Sequence, residues 1–253
     1  MTLFSTHVIL VPMIGLTARQ TQILKVIIDE YITTAEPVGS SSLEKKYSLG
    51  VSPATIRKEM HDLTQAGYLK QPHTSAGRIP TPLAMKFYID QLMEEKQMSV
   101  ADEVKTKEEV RQVKTDFDKL MHATAHSLAK ATQALAVVIT DEGDSWSAGH
   151  ASVFDNPEFF NFEICQNLFS FLEEEKKLQE LFFERFTGIS PIEVLFGEDL
   201  GWPYFEPVGV VATRFSAGSH NGALGIIGPY RLNYKSIIPT LRFFKEVLEE
   251  ATK

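Results

Sequence analysis

Apolar residues in the first hundred positions recur at helical spacing, in bursts divided by turn residues. Ile23, Leu24, Ile27, Ile28 and Tyr31 share one helical face and follow Thr17-Ala-Arg-Gln20, a capping-box pattern. Pro37 disfavours helix at Glu36, so this first helix should end near Ala35. Ser40 is placed to cap a short second helix through Tyr47, and Ser48-Leu-Gly50 turns the chain into a third. That third helix, Val51 to Gly67, has marked ends: Ser52 as N-cap, Pro53 at the first position, Gly67 past the end in the left-handed region. Ile56, Met60 and Leu63 fall on the side to be buried. Ala54, Lys58, His61 and Gln65 fall opposite, flanked by Thr55, Arg57 and Asp62.

Two short helices joined by a glycine-containing turn, after a longer first helix, predict a helix-turn-helix. Tyr68 to Gln71 and Arg78-Ile79 can pair as strands around the turn-rich Pro72-His-Thr-Ser-Ala-Gly77, forming the wing of a winged helix. Thr81 and Pro82 then open a fourth helix packed by Leu83, Phe87, Tyr88 and Leu92.

Residues 102–136 carry the longest periodic run. Val110, Val113, Phe117 and Leu120, then Met121, Leu128 and Leu135, form a narrow seam with no Gly or Pro to interrupt it. One long helix is expected, its seam against a partner helix from a second subunit or from within the chain. Beyond it come a β-branched strand at Ala136–Thr140, one or two helices over Pro157–Phe186, and a strand at Ile192–Phe196. An antiparallel pair, Val208–Phe215 with Gly222–Ile227, and a closing helix from Tyr234 to Glu250 complete an α+β fold.

Composition is that of a globular chain: 253 residues, 43% hydrophobic and 23% charged, long enough for about two domains. The net charge of −8 argues against nucleic acid until it is resolved by position. Residues 38–86 carry Lys45, Lys46, Arg57, Lys58, Lys70, Arg78 and Lys86 against only Glu44, Glu59 and Asp62, whereas residues 97–253 are strongly acidic. The lone Cys165 excludes an internal disulfide and fits a reducing cytoplasm. No apolar run suits a bilayer. His7–Ile14 has no preceding Lys or Arg and contains Pro12, so residues 1–15 read as a disordered tail or, with Met13 as the true start, as a misplaced gene start.

The third helix, apolar behind and basic in front, suits a DNA major groove, and the wing suits the sugar-phosphate backbone. The candidate DNA contacts are Ser40, Ser41, Ser52, Ala54, Thr55, Arg57, Lys58, His61, His73, Thr74, Ser75 and Arg78. The competing reading is a solvated helix face and a plain polar loop. His122 and His126 have metal-ligand spacing but lack the Glu of H-E-x-x-H and any Cys/His cluster, so no metal is assigned. Gly222, Gly225 and Gly228 end a strand before Pro229 and read as close-packing positions, not as a dinucleotide fingerprint. No nucleophile is paired with a base, so neither catalytic residues nor a cofactor are assigned, and an enzyme is the less favoured class.

Leu16-Thr-x-Arg-Gln, Glu36-Pro-Val-Gly-Ser40, Gly50-Val-Ser-Pro-Ala-Thr-Ile-Arg57 and Gln71-Pro-His-Thr-Ser-Ala-Gly-Arg-Ile-Pro-Thr81 resemble the winged-helix domain of the bacterial heat-inducible transcription repressor family, HrcA. Asn156-Pro-Glu-Phe159, Leu172-Glu-Glu-Glu175, Gly197-Glu198 and Gly222 to Tyr234 resemble its GAF-like domain more thinly. Ser41 and Lys58 stand where the family usually has Arg and Asn, and only residues 141–155 stand where the family inserts a dimerisation segment. The resemblance implies a winged-helix domain at 16–98, a connector at 99–136, possible as a dimer helix, and a GAF-like domain at 137–253. It implies a cytoplasmic homodimeric repressor of chaperone genes on an inverted-repeat CIRCE operator in double-stranded DNA, supported by the GroEL/GroES chaperonin, with no membrane partner. The alternative is a ligand-sensing regulator, which calls for an apolar cavity under the 208–227 strand pair.

Overall fold

The structure, a computed structural model, describes residues 15–252, which divide between Met93 and Glu94 into two units. The expectation for the N-terminal tail falls outside the described residues, Gly15 excepted.

In the first unit, capping chemistry sets the helix ends. Helix α1 (Ala18–Thr34) opens on the complete Thr17/Gln20 capping box and stops at Ala35, which takes a left-handed φ of 58°. Helix α2 (Ser40–Lys46) begins at Ser40 itself. Gly39 is the N-cap and no side chain bonds the first turn, so Ser40 is not the predicted cap. Helix α3 (Pro53–Gln65) starts as predicted at Ser52, whose hydroxyl accepts from the Thr55 N–H, and Gly67 follows its end at φ +80°. Strands β1 (Leu69–Lys70) and β2 (Ile79–Pro80) pair antiparallel, the first shorter than expected and the second shifted by one residue. Val38 adds a bridge to Arg78 on the hairpin's other side, with backbone hydrogen bonds of 2.9 Å in both directions. Helix α4 (Pro82–Phe87) is capped by Thr81. Ile23, Leu24, Ile27 and Ile28 meet Leu43, Ile56 and Leu63 in a dry core. Into it the buried Tyr88 directs a hydroxyl that donates to Asp29 at 2.5 Å, and burial raises that phenol well above its usual range.

The second unit is a five-stranded antiparallel sheet, order β4-β3-β7-β6-β5, formed by β3 (Leu135–Thr140), β4 (Ser145–Ala148), β5 (Glu193–Phe196), β6 (Val208–Ala217) and β7 (His220–Pro229). Sheet and helices together make the protein α+β. The β6–β7 turn is tighter than expected: Ala217 pairs His220, and Gly218 supplies the positive φ at the first of the two turn residues. Alternation along the strands divides the core. Leu135, Val137, Ile139, Val210 and Ile227 pack under Leu168 and Phe171 of α7 (Phe162–Glu173), Leu178 of α8 (Glu175–Gln179) and the following Phe182. Gly225 is required here, because a Cβ would stand 2.3 Å from the Phe182 ring.

The single helix expected over 102–136 is two: α5 (Val100–Arg111) and α6 (Phe117–Thr132). Asp116 makes the break by acting as N-cap of α6, its carboxylate accepting from the Lys119 N–H at 3.2 Å. The seam is also used differently from the intersubunit reading. Val110, Leu120, Met121 and Leu128 are buried within this unit, where α6 packs on β3, β4 and the closing helix α9 (Tyr234–Ala251). Phe117 stacks on His220 at 4.2 Å and meets Trp146 edge-on.

Helix α9 tolerates Pro239 in its second turn. A proline cannot donate to the carbonyl four residues back, and that carbonyl, Lys235 O, instead accepts from the Lys96 N–H at 2.8 Å. Beside it Glu95 receives both arms of Arg242, at 2.8 and 3.1 Å. Two of the segments resembling the GAF-like domain also meet: Arg231 holds Glu158 bidentately at 2.6 and 3.0 Å and Asn156 at 3.1 Å, with side chains only 10% and 14% exposed for the ion pair. Beside Phe182 and Arg214, under the β6–β7 pair, lies a space of about 10 Å³, room for about one water and far below the size of the apolar ligand cavity that the sensing alternative calls for. Among the described residues no helix is long and apolar enough to cross a membrane.

Candidate nucleic-acid interface

The interface is built on the outer face of α3. Ile56, Met60 and Leu63 are buried, which turns Ala54, Arg57, Lys58 and His61 outward, all exposed. Arg57 and His61 make no side-chain hydrogen bond or ion pair among the described residues, so both are available to a ligand. Lys58 is engaged: its ammonium donates to Asp62 one turn on at 2.9 Å, and that carboxylate lifts its pKa above the usual lysine range. Ser52 and Thr55 share a hydroxyl–hydroxyl contact of 3.0 Å at the first turn, so their oxygens serve the cap first. Glu59, one of the three acids counted against the basic patch, is not on this face. It is 9% exposed and turned towards Arg19 of α1, at 3.7 Å. Sequence periodicity gave no notice of that inward carboxylate.

Ser40 and Ser41 sit at the start of α2, the first half-buried and the second exposed. The hairpin tip is organised by Gln71, whose side-chain amide donates to the carbonyls of Thr74 (2.9 Å) and Ala76 (3.0 Å). His73, Thr74 and Ser75 are thereby presented with exposed side chains. Arg78 lies at the hairpin base. Its Nε donates to Thr64 of α3 at 3.1 Å, so it braces the hairpin against the helix and does not stand at the tip as a free probe. Gly77 allows the neighbouring Val38–Arg78 bridge: a Cβ there would lie 2.4 Å from the Val38 carbonyl oxygen. Gln71, Thr64 and Gly77 were not among the candidate residues, although a Gln at a strand end and a Gly before an Arg at the base are legible signals.

His122 and His126 are exposed on α6 with rings stacked 6.1 Å apart, and among the described residues no group of three His, Cys, Asp or Glu side chains could hold a metal.

A small helical unit with a basic exposed helix, joined to an α+β unit, is the layout of a two-part regulatory protein. The family model described as "HrcA protein C terminal domain" matches residues 83–238. The chain belongs to the HrcA family. It is 29% identical to "Heat-inducible transcription repressor HrcA" of Carboxydothermus hydrogenoformans, covering 92% of this chain and 97% of the relative. Over a shorter stretch of 120 residues it is 47% identical to the protein of the same name from Desulforamulus reducens, covering 47% of this chain and 35% of that one. The Carboxydothermus alignment runs over 337 positions against 253 residues here, so that relative carries segments this chain lacks. In fold, the chain is similar to a crystal structure described as that of "a hypothetical protein", with TM-score 0.72, 18% identity, and 94% and 99% of the two chains covered.

Proposed function

We propose that this protein is a transcription repressor of heat-inducible genes whose first unit, a winged helix-turn-helix, binds double-stranded DNA. The observation that carries the reading is the outward face of α3, where unpaired Arg57 stands with His61 and Lys58 beside the free side chains of the hairpin tip. An unpaired guanidinium near a helix N-terminus suits a guanine edge or a phosphate in the major groove. Ser40, Ser41 and the α3 N-terminus offer hydroxyl and backbone donors to phosphate, and His73, Thr74 and Ser75 lie along the backbone. Ala54 is small enough for a base edge to approach. The second unit is read as GAF-like. The protein acts as a homodimer on an inverted repeat of the CIRCE type, with GroEL/GroES supporting the active repressor, as family membership implies. One unit neutralises few phosphates, and two linked copies gain from effective concentration.

Fluorescence anisotropy of the full chain on a labelled CIRCE-type duplex and a scrambled duplex tests this at several salt concentrations. Tighter binding to the inverted repeat, with affinity falling steeply as salt rises, is expected. Equal affinity for both duplexes, or affinity indifferent to salt, refutes it. Light scattering of the free protein at the subunit mass would refute the dimer.

A further inference from the structure

Every exposed aromatic side chain among the described residues lies in the second unit: Phe154, Phe160, Phe162 and Tyr204, at 55%, 71%, 79% and 46% exposure. They gather around the start of α7. Phe154 and Phe160 belong to two short 3-10 helices, His150–Asp155 and Pro157–Phe160, that lead into α7, and Phe162 is its first residue. Phe169 follows seven residues on, two turns along the same face. Its half-buried ring stacks on Phe154 at 5.9 Å and on His150 at 6.2 Å. Tyr204 joins the group through its hydroxyl, which donates to Glu163 beside Phe162.

Charge and area point to a second copy of the chain as the cover for this surface. Residues 150–163 contain no Lys or Arg, and their carboxylates are Asp155, Glu158 and Glu163. Glu158 is held by Arg231 and Glu163 accepts from Tyr204, which leaves Asp155 alone unengaged. In an isologous dimer the same patch meets itself, so a surface nearly free of unpaired charge can face its copy without repulsion. At the area that aromatic rings bury, the exposed parts of these four amount to roughly 400–600 Å². That is half or more of the about 800 Å² that each partner gives to a standard interface, whose centre is enriched in aromatic residues and poor in charge. The apolar seam of α5 and α6 does not compete for the role, because Val110, Leu120, Met121 and Leu128 are buried inside the unit.

We propose that the homodimer inferred above for DNA binding, a reading on which this one rests, forms through this surface: Phe154, Phe160, Phe162 and Tyr204 of one copy pack against the same residues of the other across a two-fold axis.

Sedimentation velocity of the full chain over a wide concentration range, without DNA, is the test. The parent should sediment as a dimer. Phe160→Ser with Phe162→Ser should raise the dimer dissociation constant at least about thirtyfold, as loss of a central aromatic contact does, with an unchanged circular dichroism spectrum because both rings are exposed. Val100→Ser with Val104→Ser, the exposed apolar pair on α5, should leave the constant within about twofold of the parent. A double Phe variant that dimerises as tightly as the parent would overturn this surface and leave the homodimer standing. A parent at the subunit mass at every concentration would overturn the homodimer and this surface with it. A dimer lost in the α5 variant would move the interface to that helix, and a double Phe variant that no longer folds would mean that the rings belong to the core; either result overturns the proposal.

Discussion

Adjacent residues on α3 should give opposite phenotypes. Ile56 is fully buried between α1 and α3, and Arg57 beside it is exposed and unpaired. Ile56→Ala leaves a hole in a well-packed core, at a cost of about 2–5 kcal/mol. For a unit of this size each kcal/mol lowers the melting temperature by about 4–8 °C, so the first unit should melt roughly 8–40 °C lower. Arg57→Ala removes no intramolecular contact, so its stability should stay within about 0.5 kcal/mol of the parent. If Arg57 reads a base or holds a phosphate tightly, operator binding should fall by about 1–3 kcal/mol, or roughly 5–150-fold. Circular dichroism melts and anisotropy titrations at two salt concentrations separate the two effects. A folded Arg57→Ala protein with parental affinity would remove α3 from the groove. An Ile56→Ala protein of parental stability would mean that the packing described for this helix is wrong.

Four further outcomes follow from the same geometry. His73→Ala, at the exposed hairpin tip, should weaken operator and random duplex alike; anisotropy showing a loss confined to one base position would mean that the hairpin reads sequence. Glu158→Ala removes the carboxylate that pairs with the buried Arg231 guanidinium and should cost about 3–5 kcal/mol, read as a lower denaturation midpoint of the second unit. Val113→Glu with Phe117→Glu should destabilise the second unit and not merely release a monomer, because Phe117 is stacked on His220; a stable, soluble double variant of halved mass in light scattering would restore the seam to an intersubunit role. The hydrogen bonds from Arg242 hold the Glu95 carboxyl below its ordinary range, so their stabilisation, about 0–1 kcal/mol for a half-exposed pair, is present above the ordinary glutamate range and lost as pH falls through the folded value. The melting difference between parent and Arg242→Ala should therefore vanish in acid, and a difference that persists there would show that Arg242 acts through packing instead.

The first unit was the more legible of the two because its boundaries are written in residues with one local job. Thr17 with Gln20, Ser52 with Pro53 and Gly67, and Thr81 with Pro82 each do what their chemistry dictates. What escaped there depended on partners distant in sequence. Nothing local says that Val38 will bridge Arg78, or that Glu59 will turn inward to Arg19. In the second unit, Ser145–Ala148 is a four-residue edge strand, too short and too polar to display alternation in the sequence. Of the candidate site, the outward set Ala54, Arg57, Lys58 and His61 was readable from helical period alone. The bracing role of Arg78 was not, because it rests on Thr64 across the hairpin–helix junction.

Uninterrupted apolar period over 102–136 predicts one helix, because neither Gly nor Pro breaks it. Helices also end where a side chain competes for the backbone, and Asp116 does so at a point where the period of Val113 and Phe117 runs straight through. Pro239 is the converse case: a nominal breaker inside α9, tolerated because Lys96, remote in sequence, occupies the carbonyl it frees. Both follow from one accounting rule, that each backbone donor and acceptor needs a partner and any residue able to supply one can start or continue a helix.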